Sequence, residues 1–146
     1  MNDVTEHTVT GGDVLVDTLI AHGVDTAFTV SGESFLAVLE ALRRKRNQIS
    51  LITTRHEGGG SFAADAYGKL TGRPAALFVS RGPGATNAAI GVHTAKQDCS
   101  PMLLFVGHVP STSQGREAFQ EINQAAMFTP VAKAVLQPNS TEQVAS

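Results

Sequence analysis

Tryptophan is absent, cysteine occurs once, aromatic residues make up only 5% of the chain, and neither charge sign dominates. Each shortage excludes something. Cys99 alone cannot form an internal disulfide, which points to a reducing, cytoplasmic location. So few aromatics give no stacking platform for single-stranded nucleic acid. A net charge of −2 gives no basic field for nucleic acid or an anionic membrane. No apolar run approaches the roughly 18 residues that suggest a membrane span. Met1 to Gly12 is polar and acidic, without the basic start and apolar stretch of a signal peptide. What is left is 146 residues, 42% of them hydrophobic, enough for one domain with a substantial core.

Helical patterns alternate with short apolar runs. Thr10 and Asp13 have the form of a capping box and open a helix that Gly23 stops. Thr26 to Val30 reads as a buried strand. Ser34 is expected to cap a helix with Leu36, Leu39 and Leu42 on one face, ending in the basic cluster Arg43 to Arg46. Ser50 to Thr53 reads as a strand. Glu57 to Thr71 reads as a helix with Phe62, Ala63, Ala66, Tyr67 and Leu70 as its apolar stripe. Ala75 to Ser80 and Pro101 to Val106 are further strands around a helix from Ala85 to Asp98, and Val131 to Val135 offers a fifth. This alternation predicts an α/β fold, a parallel sheet flanked by helices on both faces in three layers. Ser140 to Gln143 again has the capping-box form, with less than two turns of chain after it. A helix that short is unstable alone, so the expectation is a single domain, 1–146, belonging to a longer multi-domain polypeptide.

Familiar catalytic motifs are missing. His56-Glu57 would need a second histidine at position 60 to resemble a zinc-protease helix, and Gly60 stands there. The five histidines have no ligand spacing, so no metal site is expected in this chain. There is no phosphate-binding Gly-Lys-Ser/Thr, and Ser31 lacks the frame of a hydrolase nucleophile. What is present is a set of three turns, each after a predicted strand: Ser31 to Ser34, Arg55 to Gly60, and Arg81 to Asn87. In a parallel sheet such turns gather at the carboxyl edge, where ligands bind. Read from the residues alone, this is a small-molecule cleft with one carboxylate, Glu57, at its floor.

Thr54-Arg55-His56-Glu57 and the run Phe62 to Pro74 resemble the glutamate motif of thiamine-diphosphate enzymes. Ser80-Arg81-Gly82-Pro83-Gly84-Ala85-Thr86-Asn87 resembles their second signature, and Asp98 to Met102 with Gly107 to Pro110 the passage after it. Ala118-Phe119-Gln120-Glu121 resembles the Phe-Gln-Glu element of the acetolactate synthase branch. The likeness runs from about Gly11 to about Gln137, as the N-terminal, pyrimidine-binding domain. It implies that Glu57 hydrogen-bonds N1′ of the cofactor's aminopyrimidine and activates it. Ser31, Gly32 and Glu33 match the family's first turn, with Ser31 in place of the usual proline. Gly58 departs from the glutamine common after that glutamate in acetolactate synthases. Gly82, Pro83, Gly84 and Asn87 match the pyrimidine pocket, although they also read as a plain strand-to-helix turn. Phe119 and Gln120 match positions near the substrate channel, as do His93 and Gln97, which read equally as a surface pair.

The resemblance further implies 2-oxo acid substrates, with decarboxylation and C–C bond formation by the full-length protein and no activity in this domain alone. It implies Mg²⁺ and diphosphate held by a later domain of a partner subunit, through a Gly-Asp-Gly…Asn motif absent here. The assembly would be a homodimer or homotetramer. FAD stays open, because its contacts lie largely in a middle domain. Two other expectations stand beside this one: a short subunit of a two-chain decarboxylase such as sulfopyruvate decarboxylase, and a non-catalytic binding module.

Overall fold

The strands run parallel in the order β2-β1-β3-β4: β1 Thr26–Thr29, β2 Ser50–Thr53, β3 Ala75–Ser80 and β4 Met102–Gly107. The computed structural model describes residues 8–144. The chain order reverses between β1 and β3. Helices α1 (Gly11–Ala21) and α2 (Leu36–Arg44) therefore cover one face, and α3 (Glu57–Thr71) and α4 (Arg81–Gln97) the other. Strand alternation divides the core. Ala27, Ala76 and Phe78 pack with Val16, Leu19 and Leu42, while Phe28, Leu77 and Val79 pack with Ala64 and Ala88. This is the expected three-layer α/β arrangement. A short helix, α5 (Gln124–Phe128), and the segment after it add a third small cluster around Ala85, Val92 and Phe128.

The Thr10–Asp13 capping box forms as expected. It is also tied to a second helix, since Arg44 reaches Asp13. Burial works against the Asp13 charge, but bonds from the Thr10 backbone N–H and hydroxyl, with the Arg44 guanidinium, hold its carboxyl well below the ordinary 3.8. The Tyr67 hydroxyl, 2.5 Å from Asp25, is the main cause of a lower value there too, against opposing burial and with help from Thr26 and Arg73. Both pairs stabilise the fold above pH 3.8, the unfolded value, and that contribution is lost as pH falls through the lower folded values. Asp13→Asn is expected to cost about 1–3 kcal/mol at pH 7 and to flatten the loss below pH 4. Urea titrations at pH 7 and pH 3 measure both, and an unchanged pH slope would contradict the assignment.

Four expectations are corrected. Ser34 does not cap α2. It lies in a 3-10 turn, Glu33–Phe35, and its Oγ meets Ser80 Oγ at 2.9 Å, so α2 begins at Leu36 with no side-chain cap. Leu36 is consequently 63% exposed, and α2 buries Ala41 and Leu42 instead. The helix expected from Ala85 begins at Arg81, because Pro83 is tolerated in a first turn, where its missing N–H has no intrahelical partner. Residues 131–135 form no strand; Val131, Ala132 and Val135 pack onto the third cluster as turn and irregular chain.

The fourth correction concerns α3. Of the expected stripe, Ala63 and Tyr67 pack against the core, but Phe62 is 43% exposed and Leu70 86%. Its buried face is Gly58, Gly60, Ser61, Ala64, Asp65 and Gly68. Small residues let backbones approach, so α4 packs close. A Cβ added at Gly91 would lie 2.3 Å from Ser61 Oγ, and one at Gly68 2.3 Å from the Pro101 carbonyl oxygen. At the C-terminal side, Glu142–Val144 is a single 3-10 turn, and the continuation expected after it lies outside the described residues.

Candidate functional site at the carboxyl edge of the sheet

Glu57 is the first residue of α3. β2 ends at Thr53, and Thr54 N–H bonds the Thr29 carbonyl at 2.8 Å, turning the chain over the strand ends. His56 caps the helix, its Nδ1 accepting from Gly58 N–H at 3.0 Å. An acidic residue in the first turn is favoured by the helix dipole. That alone would leave Glu57 a surface residue, yet it is half-buried. Asn87 Nδ2, in the second turn of α4, donates to Glu57 Oε2 at 2.9 Å. Gly84, in the first turn, lies so near that an added Cβ would be 3.5 Å from Glu57 Oε1 and 3.1 Å from Val79 Cβ. Gly58 leaves room for α4 in the same way, 3.3 Å from the Asn87 carbonyl oxygen.

The first and third turns are joined to each other. A Cβ at Gly32 would meet Ser80 Cβ at 2.5 Å, and Glu33 Oε1 pairs with Arg81 Nη1 at 2.7 Å. Since β1 and β3 flank the point where chain order reverses, this pair bridges the crevice where doubly wound sheets bind ligands. The loop after β4 closes onto the same place. Gly82 N–H donates to the Gln120 carbonyl at 2.9 Å, and the Arg81 guanidinium sits 5.9 Å from the Phe119 ring centroid. Glu121 braces that loop by accepting from Gly115 and Ala118 N–H groups, which lower its pKa.

The structure therefore brings together Glu57, Gly84 and Asn87, and beside them Gly32, Glu33, Arg81, Gly82, Phe119 and Gln120. Ser31 is exposed in the first turn, and Pro83 is exposed on α4. His93 and Gln97 do not join them. They contact each other at 3.4 Å on the outer face of α4, about 9 Å and 15 Å of helix rise beyond Asn87. Arg81 received no role from the sequence; an arginine at a strand end directly before Gly-Pro-Gly was the available signal. An open groove of about 440 Å³ runs past His108, Gln114, Glu117, Glu121 and Gln124, and Glu57 does not line it.

The donor set suits an aminopyrimidine. One carboxylate oxygen is oriented by Asn87, and the other is left beside a glycine that a side chain would fill. Among the described residues no group of three or more His, Cys, Asp or Glu could hold a metal ion. No helix there is long and apolar enough to cross a membrane.

A glutamate at the carboxyl edge of a doubly wound parallel sheet, facing a glycine-lined helix start, defines an α/β domain with a candidate small-molecule site at its strand ends. The family described as "Thiamine pyrophosphate enzyme, N-terminal TPP binding domain" matches residues 9–127, and the chain belongs to that family. It is 39% identical over 128 residues to the acetolactate synthase large subunit of Parasynechococcus marenigrum, covering 86% of this chain and 21% of the relative. It is 37% identical over 123 residues to an acetolactate synthase of Bacillus subtilis, covering 84% and 21%. Pyruvate oxidase of Lactiplantibacillus plantarum is 33% identical over 132 residues, covering 90% and 22%. The chain thus spans about a fifth of the length of these relatives.

Proposed function

We propose that this domain serves a thiamine-diphosphate enzyme of the acetolactate synthase type, acting on 2-oxo acids by decarboxylation and C–C bond formation. The observation that carries this is Glu57: half-buried, oriented by Asn87, and open toward Gly84. When bound, thiamine diphosphate supplies an acidic carbon that adds to the substrate carbonyl and a ring that accepts the electron pair left by CO₂. The residues here bind and orient. Glu57 holds a proton at N1′ of the pyrimidine. Asn87 would orient the Glu57 carboxylate through Oε2, and Gly84, with no side chain, would keep the other oxygen uncrowded.

Diphosphate and Mg²⁺ are assigned to another domain. The outer face of α3 carries Phe62 and Leu70 exposed, and that of α4 carries Ile90. We assign that apolar face to the partner subunit of a homodimer or homotetramer, which leaves the 146-residue chain inactive alone.

The test is a panel of 2-oxo acids with the full-length polypeptide, thiamine diphosphate and Mg²⁺. Cofactor-dependent CO₂ release from pyruvate or a near relative is expected. Absence of both turnover and thiamine diphosphate binding by calorimetry would overturn the reading.

A further inference from the structure

The geometry points to Arg81 as the anchor for an anionic group that survives the reaction: a second carboxylate on the 2-oxo acid, or the retained carboxylate of an acceptor. This rests on the functional reading above and adds the substrate class.

Arg81 carries two costs that its pairing with Glu33 and its contact with Phe119 leave in place. Its backbone is left-handed, φ +43°, which a β-carbon disfavours. Its side chain is 13% exposed, and its buried Nε has no hydrogen-bond partner among the described residues. Strain of this kind collects at ligand sites. Among the described residues, two of the other left-handed non-glycine residues, Glu117 and Gln120 at φ +54° and +63°, lie in the loop that meets Arg81.

The partners Arg81 does have can yield. Glu33 engages Nη1 alone and is 68% exposed, so the pair is a weak one. Phe119, against the guanidinium face, is 73% exposed. Neither contact uses the Nε edge, the edge that binds a carboxylate by two parallel bonds. Gly84, beside Glu57, follows Arg81 by three residues, about 4.5 Å of helix rise, so the anchor and the carboxylate share one crevice.

The reaction decides which anion. A carboxylate leaving as CO₂ loses its charge in the transition state. A guanidinium on it would stabilise the ground state and raise the barrier. An arginine at this place therefore serves a group whose charge is unchanged.

The experiment compares wild type, R81K and R81Q in the full-length protein with thiamine diphosphate and Mg²⁺. Pyruvate and 2-oxoglutarate are the substrates, with CO₂ release and C–C coupling measured separately. For a donor anchor, R81Q lowers kcat/KM for 2-oxoglutarate at least tenfold more than for pyruvate, mainly through KM. For an acceptor anchor, R81Q lowers coupling at least tenfold relative to CO₂ release. R81K, with charge but no Nε edge, recovers only part of either loss and serves alone if R81Q fails to assemble. Equal losses in every measurement, or none, overturn the anchor. Calorimetric binding of 2-oxoglutarate needs no turnover: tenfold weaker binding in the variant supports the anchor, and equal binding overturns its donor form. Wild type inert toward every 2-oxo acid would sink only the functional reading.

Discussion

Glu57→Gln in the full-length protein lowers thiamine-diphosphate-dependent turnover by about two to four orders of magnitude, the range expected for loss of a positioned acid–base group. The substitution keeps shape and length. The new carboxamide oxygen can still accept from Asn87 Nδ2, so the contact at 2.9 Å and the fold around it persist. What disappears is the acidic proton that Glu57 would share with N1′. The measurement is kcat with pyruvate beside the thiamine diphosphate dissociation constant and the rate of C2 proton exchange by NMR. Turnover and exchange should fall together while cofactor affinity changes much less. Near-wild-type turnover would remove Glu57 from the mechanism.

Gly12→Val should produce the largest loss of stability, about 3 kcal/mol or more. A Cβ at residue 12 would lie 2.5 Å from the Ala37 carbonyl carbon, 2.6 Å from its oxygen and 2.8 Å from Val38 N. These are backbone atoms and cannot rotate away, so α1 must separate from α2. That opens the packing of Val16 and Leu42, both almost fully buried. Folded domains keep only about 5–15 kcal/mol in total, so the variant should unfold at much lower urea. Gly59→Ala is the matched control. Nothing lies within 4 Å of its added Cβ, and Ala is the better helix former, so stability should hold or rise by up to about 1 kcal/mol. If both variants unfold alike, close helix packing is not the cause.

Much of the site was readable because its residues are adjacent in the chain. Glycines and one glutamate in short turns after apolar runs locate the carboxyl edge, and a capping box needs only Thr10 and Asp13 three apart. Reading failed where distant segments compete. Size suggested that Phe62 and Leu70 were core, but α4 packs through glycine and alanine, so small residues hold the α3 interface. Ser34 had the composition of a cap, yet Ser80, forty-six residues away, offers its hydroxyl a partner. Arg81 stands in the sequence only as one residue of the stretch that resembles the second signature. Its significance needs φ, burial and an unpaired Nε, none of which composition reports.

The sequence by itself determined the alternation of elements, hence a parallel sheet with helices on both faces, and the loop that carries Glu57. Those properties follow from local periodicity and turn chemistry, which act over a few residues. Only the tertiary structure decided that Asn87 orients Glu57, that Glu33 and Arg81 meet across β1 and β3, and that His93 and Gln97 stand apart. These pairings depend on strand order and helix spacing, and both are set by packing between segments far apart in the chain.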